Sequence, residues 1–313
     1  MPYETRSLSA AGVILLGAAL AGCPSPPTRL SSTAIPLSLA DDGHFTVPAR
    51  VNGSGPFPFI LDTGADSGVV YEWFAKQRDL PAEAAQELSG QTGTVSTPMY
   101  RIKQLSIGGR SIANTLAYAA PNRHDRGKEA GVAGNDLMDG SVVVFDFPCK
   151  AVEFRVKPFS VERLVPKSVP VIEAGTIEDG TLLTLPVQLQ KAAGVALLDT
   201  GSRDTRISPQ FAAAAGIDPS SPAFRDGDLI YGANSKAATS RIGPVGRVQF
   251  AGIAIANVEA RVIDLAAFRS AGVGGSVMLL GTDLMQGYRL VYDHAAKQLG
   301  FSPSACASSS IGH

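Results

Sequence analysis

The chain has 313 residues, enough for two domains of ordinary size with a core each. Its 33 glycines and 21 prolines follow no low-complexity period, which favours a strand-rich fold with many turns. The formal net charge is -1 and the basic residues are scattered, so nucleic acid is not expected as a partner. The four histidines lack metal-ligand spacing, and we predict neither a metal nor another cofactor.

Residues 1–22 are predicted to be a leader. Arg6 precedes an apolar run over residues 8–21, which is short for a membrane span and typical of a signal peptide. The run ends in Leu20-Ala21-Gly22-Cys23, which resembles the lipobox of bacterial lipoproteins. The resemblance implies a lipid on Cys23 and a membrane-held position in the bacterial cell envelope, facing the periplasm or the exterior. An ordinary signal peptide that contains a cysteine is the alternative.

Residues 23–39 are predicted to be a tether, because the stretch to Thr33 is rich in Pro, Ser and Thr. An N-terminal lobe is predicted over residues 40–156. It opens with an alternating strand over residues 45–51, a turn at 52–56, and a returning apolar strand at 57–61.

The returning strand runs directly into Asp62-Thr63-Gly64-Ala65. An apolar strand should be buried, yet this one delivers a carboxylate, which is costly to bury without a partner. A single Asp-Thr-Gly is usually a turn with a solvated aspartate. The context of the motif therefore decides its meaning.

The same pattern recurs 137 residues later in the chain. A strand over 183–190, a turn over 191–194 and an apolar strand over 195–198 lead to Asp199-Thr200-Gly201-Ser202. We expect the two carboxylates to meet and share one proton, because that removes the cost of burying two charges.

The repeat continues beyond the motif. Short helices are predicted at about 72–78 and 209–215, and Gly134-Asn135-Asp136-Leu137-Met138 matches Gly281-Thr282-Asp283-Leu284-Met285. Two long copies of one unit indicate two lobes rather than a solenoid. The rest of the chain is predicted to form a linker over 157–180, a C-terminal lobe over 181–302 and a tail over 303–313.

With these motifs in both halves, the chain resembles the pepsin and retropepsin family of aspartic proteases. Asp62 to Asp66 is similar to the retroviral form of the motif, and the copy ending in Ser202 is similar to the cellular form. The resemblance implies an all-β fold with short helices and two lobes related by a pseudo-twofold axis. Because both halves lie in one chain, a monomer is expected.

Asp62 and Asp199 are the candidate catalytic dyad. In the mechanism that the resemblance implies, one carboxylate takes a proton from water while its protonated partner polarises the substrate carbonyl. The implied function is an aspartic endopeptidase that cleaves peptides or proteins. A non-catalytic peptide-binding lipoprotein and a protease whose main substrate is itself are the alternatives.

The resemblance also assigns supporting roles. Thr63 and Thr200 would bond across the lobe interface, while Gly64 and Gly201 would allow the tight turns. Gly134 and Gly281 are the last residues of two apolar-apolar-Gly elements, each of which packs behind one of the aspartate loops. Glycine is needed there because the two backbones approach closely.

Three further side chains carry separate expectations. Thr282 is expected to cap the helix that follows it. The Ser202 hydroxyl is expected to donate to the outer oxygen of Asp199, whereas Ala65 offers no donor to Asp62. The shared proton should therefore rest more often on Asp62.

Two hairpin tips are candidates for flaps over the substrate: Gly90-Gln91-Thr92-Gly93 with Thr94, and Tyr231-Gly232-Ala233-Asn234. Ordinary polar turns are the alternative, and the first tip lacks the tyrosine that pepsin-like flaps carry. Cys149 and Cys306 could form a disulfide or remain two buried thiols, and the sequence leaves both open.

Overall fold

The computed structural model describes residues 34–123, 127–156, 158–177, 181–231, 237–270 and 275–306. The predicted leader, Cys23 and most of the tether lie outside these ranges. Among the described residues, no helix is long and apolar enough to cross a membrane.

Strands dominate the described part of the chain, and each helix there has only four to six residues. The helices are α1 (Glu72–Gln77), α2 (Asn135–Met138), α3 (Val161–Leu164), α4 (Pro209–Ala214), α5 (Ala266–Ser270) and α6 (Thr282–Met285). The predicted all-β, bilobal fold with short helices is confirmed. Helix α4 begins where expected because Ser208 accepts a hydrogen bond from the Phe211 N–H group, and Pro209 suits the first turn.

An eight-stranded sheet forms the N-terminal lobe. In spatial order its strands are β2 (Ser38–Leu39), β3 (Phe45–Val51), β4 (Ser54–Leu61), β9 (Gly131–Ala133), β5 (Val69–Tyr71), β8 (Arg110–Ala120), β7 (Gly93–Ile107) and β6 (Ala82–Gly90). The turn before β4 is shorter than predicted. Asn52 and Gly53 both adopt positive φ, at 51° and 81°, so two residues suffice to reverse the chain and β4 begins at Ser54.

A second eight-stranded sheet forms the C-terminal lobe. Its order is β13 (Gly175–Ile177), β14 (Leu182–Leu189), β15 (Ala192–Leu198), β22 (Val277–Leu280), β16 (Arg206–Ile207), β21 (Ile253–Val262), β20 (Arg241–Phe250) and β17 (Arg225–Asp226). The turn predicted at 191–194 is too long, because the chain reverses at Gln190, with φ of 54°, and β15 already begins at Ala192. Strands β18 (Ile230–Tyr231) and β19 (Ala237–Ala238) form a separate small hairpin.

A six-stranded sheet draws on both halves of the chain. Its order is β1 (Ile35–Pro36), β11 (Ala151–Val156), β10 (Ser141–Asp146), β23 (Arg289–Asp293), β24 (Gln298–Ser302) and β12 (Ile172–Glu173). At its centre β10 pairs antiparallel with β23, and Val144 lies opposite Val291. These two valines are equivalents in the sequence repeat, so the pseudo-twofold axis passes between them. Buried apolar side chains of both lobes form one continuous cluster.

Two of the predicted connecting segments contain regular structure. The last residues of the predicted tether, 34–39, belong to the folded structure: Ile35 and Leu37 are 5% and 3% exposed, and β1 pairs with β11. Burying such aliphatic side chains yields about 1.5–3 kcal/mol each, which offsets the loss of chain freedom. The predicted linker, 157–180, likewise contains α3, β12 and β13.

The two cysteines of the described chain are joined. Cys149 and Cys306 form a disulfide with a Cα–Cα distance of 5.0 Å. Of the two possibilities that the sequence leaves open, the structure has the bond. It ties the predicted tail to the turn between β10 and β11.

Candidate active site

The two aspartates lie at the ends of equivalent strands. Strand β4 ends at Leu61 and runs parallel to β9, and the Asp62 N–H group donates to the Ala133 carbonyl at 2.9 Å. Strand β15 runs parallel to β22 in the same way, and the Asp199 N–H group donates to the Leu280 carbonyl at 3.2 Å. Each aspartate is thus held by the backbone of a neighbouring buried strand.

The threonines of the two motifs join the loops to each other. Thr63 Oγ1 donates to the Leu198 carbonyl at 2.9 Å and accepts from the Thr200 N–H group at 3.0 Å. Thr200 Oγ1 donates to the Leu61 carbonyl at 2.7 Å and accepts from the Thr63 N–H group at 3.0 Å. All the groups involved are buried, so these four bonds fix the position of one loop relative to the other.

The glycines of the two motifs bring each carboxyl group against the opposite loop. A Cβ atom on Gly64 would lie 2.8 Å from Asp199 Cγ, and one on Gly201 would lie 2.3 Å from Asp62 Cγ. Both distances are below any contact that a real side chain makes. Asp62 also accepts a hydrogen bond from the Gly64 N–H group at 2.7 Å. The two carboxyls therefore lie side by side, and a residue larger than glycine would displace one of them.

The surroundings of the two carboxyls differ. Burial and the neighbouring charge of Asp199 raise the pKa of Asp62 well above its usual range. Burial also raises the pKa of Asp199, but the Arg206 guanidinium, the hydrogen bond with Asp62 and nearby N–H groups work in the opposite direction. The shared proton is therefore better placed on Asp62, and the negative charge on Asp199.

Comparison with known proteins agrees with this architecture. The model of a family described as aspartyl protease matches residues 47–140 and 185–284, more than half of the chain. The chain belongs to the aspartyl protease family. Each matched segment lies mainly in one lobe and contains one Asp-Thr-Gly motif with its apolar-Gly strand. No curated protein matches the chain. Family membership gives the chain a protease-like function.

The family's elements behind the loops make close contacts here. A Cβ atom on Gly134 would lie 2.7 Å from the Ala65 carbonyl oxygen, and one on Gly281 would lie 2.6 Å from the Asp204 carbonyl carbon. The following residues continue the contact, since the Asn135 N–H group donates to the Ala65 carbonyl at 2.8 Å. The two helices α2 and α6 therefore begin directly against the dyad loops.

Two of the expected side-chain bonds are different in the structure. Ser202 Oγ donates to the Asp204 carbonyl at 3.0 Å and not to Asp199, because the loop turns back over its own hydroxyl. Thr282 does not cap α6; it is the first residue of that helix, and its hydroxyl donates to the Ser202 carbonyl at 3.2 Å. Both hydroxyls hold the second loop in shape, and the asymmetry of the dyad has another source.

A cleft of about 970 Å³ lies above the dyad and is lined by residues of both lobes. The β6–β7 hairpin reaches over it, with Gly90 opposite Gly93 at its tip and Gln91 and Thr92 in the turn. Gln91 Nε2 donates to Asp199 Oδ2 at 3.2 Å. The backbone carbonyl of Gln91 accepts from the Ala267 N–H group of the other lobe at 3.5 Å. The first flap candidate therefore lies over the dyad.

The second flap candidate is described only in part. The backbone of Tyr231 belongs to β18 and pairs with Ala237 of β19. Gly232, Ala233 and Asn234 lie outside the described residues. The neighbouring residues Leu229 and Ile230 line the cleft.

Arg206 is a cleft residue that the motif reading does not single out. Its side chain lines the cleft, is 8% exposed, and donates through Nη1 to Gln91 Oε1. The sequence does carry a signal, since the repeat places Arg206 opposite Val69. Two equivalent positions with such different side chains indicate that the lobes present different surfaces to a ligand.

The sequence also does not predict a charged cluster at the edge of the cleft. Asp42, His44 and Glu129 bring possible metal-ligand atoms within 4.8 Å of one another. The Arg123 guanidinium lies among them, 2.6 Å from Asp42 Oδ2 and 3.3 Å from Glu129 Oε2. An arginine therefore supplies the positive charge at this place. Burial and the charge of Arg123 lower the pKa of His44, so its imidazole is neutral at physiological pH.

Proposed function

We propose that this protein is an aspartic endopeptidase in which Asp62 and Asp199 together activate a water molecule. The proposal is carried by one observation: two carboxyls lie side by side at the floor of an open cleft, each against the glycine of the other loop. Such a pair holds a single proton, because two neighbouring charges cannot both persist in a buried place. That arrangement supplies an acid and a base at once.

The dyad would act as follows. Asp199, ionised beside Arg206, takes a proton from the attacking water, while protonated Asp62 donates to the carbonyl oxygen of the scissile bond. In the tetrahedral intermediate Asp199 carries the proton and Asp62 is ionised. Asp199 then protonates the leaving amine nitrogen while Asp62 takes a proton from a hydroxyl of the intermediate; the C–N bond breaks and both carboxyls return to their starting states. Asp62 and Asp199 are the donor or acceptor in every proton transfer of this mechanism. Neither aspartate becomes covalently attached to the substrate.

The cleft fits an extended peptide. Its volume of about 970 Å³ is near the upper end for ligand pockets, roughly 300–1,000 Å³, and its lining comes from both lobes. In this proposal the β6–β7 hairpin, with Gly90 to Gly93 at its tip, closes over the bound peptide. In the other lobe, the described support for the second flap candidate is that Leu229 and Ile230, directly before Tyr231, line the cleft.

The test is cleavage of a diverse peptide library by the parent and by Asp62→Asn and Asp199→Asn. Both variants should lose activity by roughly 10²- to 10⁴-fold, with unchanged circular dichroism, because each removes half of one proton-sharing pair. Asp79→Asn is the matched control: Asp79 is exposed, and its φ of 47° is one that Asn adopts readily. Near-parental turnover by either dyad variant would exclude the mechanism. Peptide binding without cleavage by the parent would favour the non-catalytic alternative.

We also propose that the protein is held at a membrane of the bacterial envelope by a lipid on Cys23. The support is the sequence Leu20-Ala21-Gly22-Cys23 at the end of an apolar run. Fatty-acid labelling of the parent in a bacterial host should be lost in Cys23→Ser. Labelling that persists in this variant would place the anchor elsewhere.

A further inference from the structure

Each lobe contributes three register-matched residues to the wall of the cleft. The central residue lies on the apolar-Gly strand, and its two neighbours lie opposite it on the flanking strands. The N-terminal triplet is Ile60, Val132 and Val69, and the C-terminal triplet is Leu197, Leu279 and Arg206. All six line the cleft. Because the lobes repeat one unit, the triplets are equivalent positions on either side of the dyad. Arg206 is the one charged member and takes the place of Val69.

Arg206 is poorly satisfied by its protein neighbours. It is 8% exposed, and its Nε atom is buried without a hydrogen-bond partner. The nearby carboxylate of Asp204 is already shared, lying 3.2 Å from the Arg261 guanidinium and 3.9 Å from that of Arg203. Three guanidiniums thus converge at this end of the cleft, and they share the two carboxylates of Asp204 and Asp199.

The acceptor that Arg206 uses belongs to the hairpin over the cleft. Gln91 receives the Arg206 hydrogen bond on Oε1 and donates to Asp199 through Nε2. The Gln91 amide therefore occupies the space in which a water and a scissile bond must meet the dyad. A bound peptide has to displace it, and Arg206 then loses its acceptor. A buried guanidinium without an acceptor is costly, so a ligand that replaces the oxygen of Gln91 is favoured.

We propose that Arg206 selects substrates with a carboxylate side chain at the position that contacts the C-terminal triplet, while the N-terminal triplet takes an apolar side chain. The inference rests on the proposed endopeptidase function and names its substrate class. In the free protein Gln91 Oε1 occupies the position that the carboxylate of a bound substrate would take. The planar guanidinium matches a carboxylate better than an amide, because both partners are charged and two parallel bonds can form.

The experiment uses fluorogenic peptides that differ at one position as Asp or Asn, or as Glu or Gln, on either side of the cleaved bond. At one position the acid should exceed the amide by roughly tenfold to a hundredfold in kcat/KM, as expected for a hydrogen bond between charged groups. Arg206→Val, which copies Val69, should abolish this ratio, and Arg206→Lys should keep part of it. Arg225→Gln is the matched control, since Arg225 is 60% exposed and bonds Glu259 away from the cleft.

The readout is the acid-to-amide ratio and not the overall rate, so a general loss of activity in a variant does not imitate the effect. A parent with no acid preference at any position overturns the proposal, whether or not Arg206→Val folds. An acid preference that persists in folded Arg206→Val overturns it as well.

Failure of the proposed hydrolysis gives a different result. If the parent cleaves no peptide, the endopeptidase assignment is wrong, and binding of the same labelled peptides to the parent decides about Arg206. If the parent binds the acid peptide more tightly than the amide peptide and Arg206→Val binds both equally, Arg206 forms a carboxylate-binding site in a non-catalytic cleft. Equal binding of acid and amide excludes it.

Discussion

At the scale of single residues, the charge of Arg206 should set the acid side of the activity profile. Its guanidinium lowers the pKa of Asp199, which burial raises, and in the proposed mechanism activity needs that carboxyl ionised. In Arg206→Met the pKa of Asp199 rises, so the dyad takes up its second proton at a higher pH. The acid limb of the profile of kcat/KM against pH should therefore move to higher pH.

Two variants sharpen this measurement. Arg206→Lys keeps the charge and should retain most of the parental acid limb. Ser202→Ala should leave the limb in place, because the hydroxyl is bonded to the Asp204 carbonyl and not to the dyad. An acid limb that moves in Ser202→Ala but not in Arg206→Met would reverse the assignment of the dyad's asymmetry.

The position of the aspartates was predictable because its signal is local. An apolar strand that runs straight into Asp-Thr-Gly, twice, needs only adjacent residues to be recognised. The partners of Ser202 and Arg206 were not predictable in this way. The Ser202 hydroxyl chooses between two acceptors according to the loop backbone, and Arg206 meets Gln91, which is 115 residues away.

At the scale of elements, the two dyad loops should depend on Thr63 more than its small size suggests. Replacing it with Val removes the donor to the Leu198 carbonyl and the acceptor of the Thr200 N–H group, both of which are buried. Each unsatisfied group costs about 1–3 kcal/mol. Thr63→Val should therefore lower the free energy of unfolding by a few kcal/mol in denaturant titration and should also reduce activity.

Thr63→Ser is the control for this prediction, since it keeps the hydroxyl and loses only a methyl group. It should stay within about 1 kcal/mol of the parent. Equal stability of the Val and Ser variants would mean that the threonine bonds do not join the loops in solution.

Elements were predicted well where the hydrophobic period decides, as in β3, α1 and α4. Their ends were predicted less well. The turns at Asn52 and Gln190 are tighter than expected because positive φ angles let the strands continue almost to the reversal. The sequence alone places Ile35 in the tether, because its partner strand β11 lies more than a hundred residues further on, beyond any local pattern.

At the scale of the whole molecule, the disulfide closes a loop across a separation of 157 residues, from Cys149 to Cys306. A cross-link of this span restricts the unfolded chain strongly, and loss of a native disulfide typically costs about 2–5 kcal/mol. Cys306→Ser should therefore unfold at a lower denaturant concentration than the parent.

Cys149→Ser and the double variant should match Cys306→Ser, because each breaks the same bond. Parent protein treated with a reductant should give the same midpoint. A midpoint that does not change in any of these samples would show that the bond is absent or adds nothing to stability.

The central pair of strands has a consequence for separated halves. The pairing of β10 with β23 is symmetric about Val144 and Val291. Val143 lies opposite Tyr292 and Phe145 lies opposite Leu290, and the repeat makes Val143 equivalent to Leu290 and Phe145 equivalent to Tyr292. If β10 separates from β23, each strand has an open edge that can pair with the partner strand of a second chain. Two chains that open along this seam can close again with each other's halves, giving an exchanged dimer with two complete clefts.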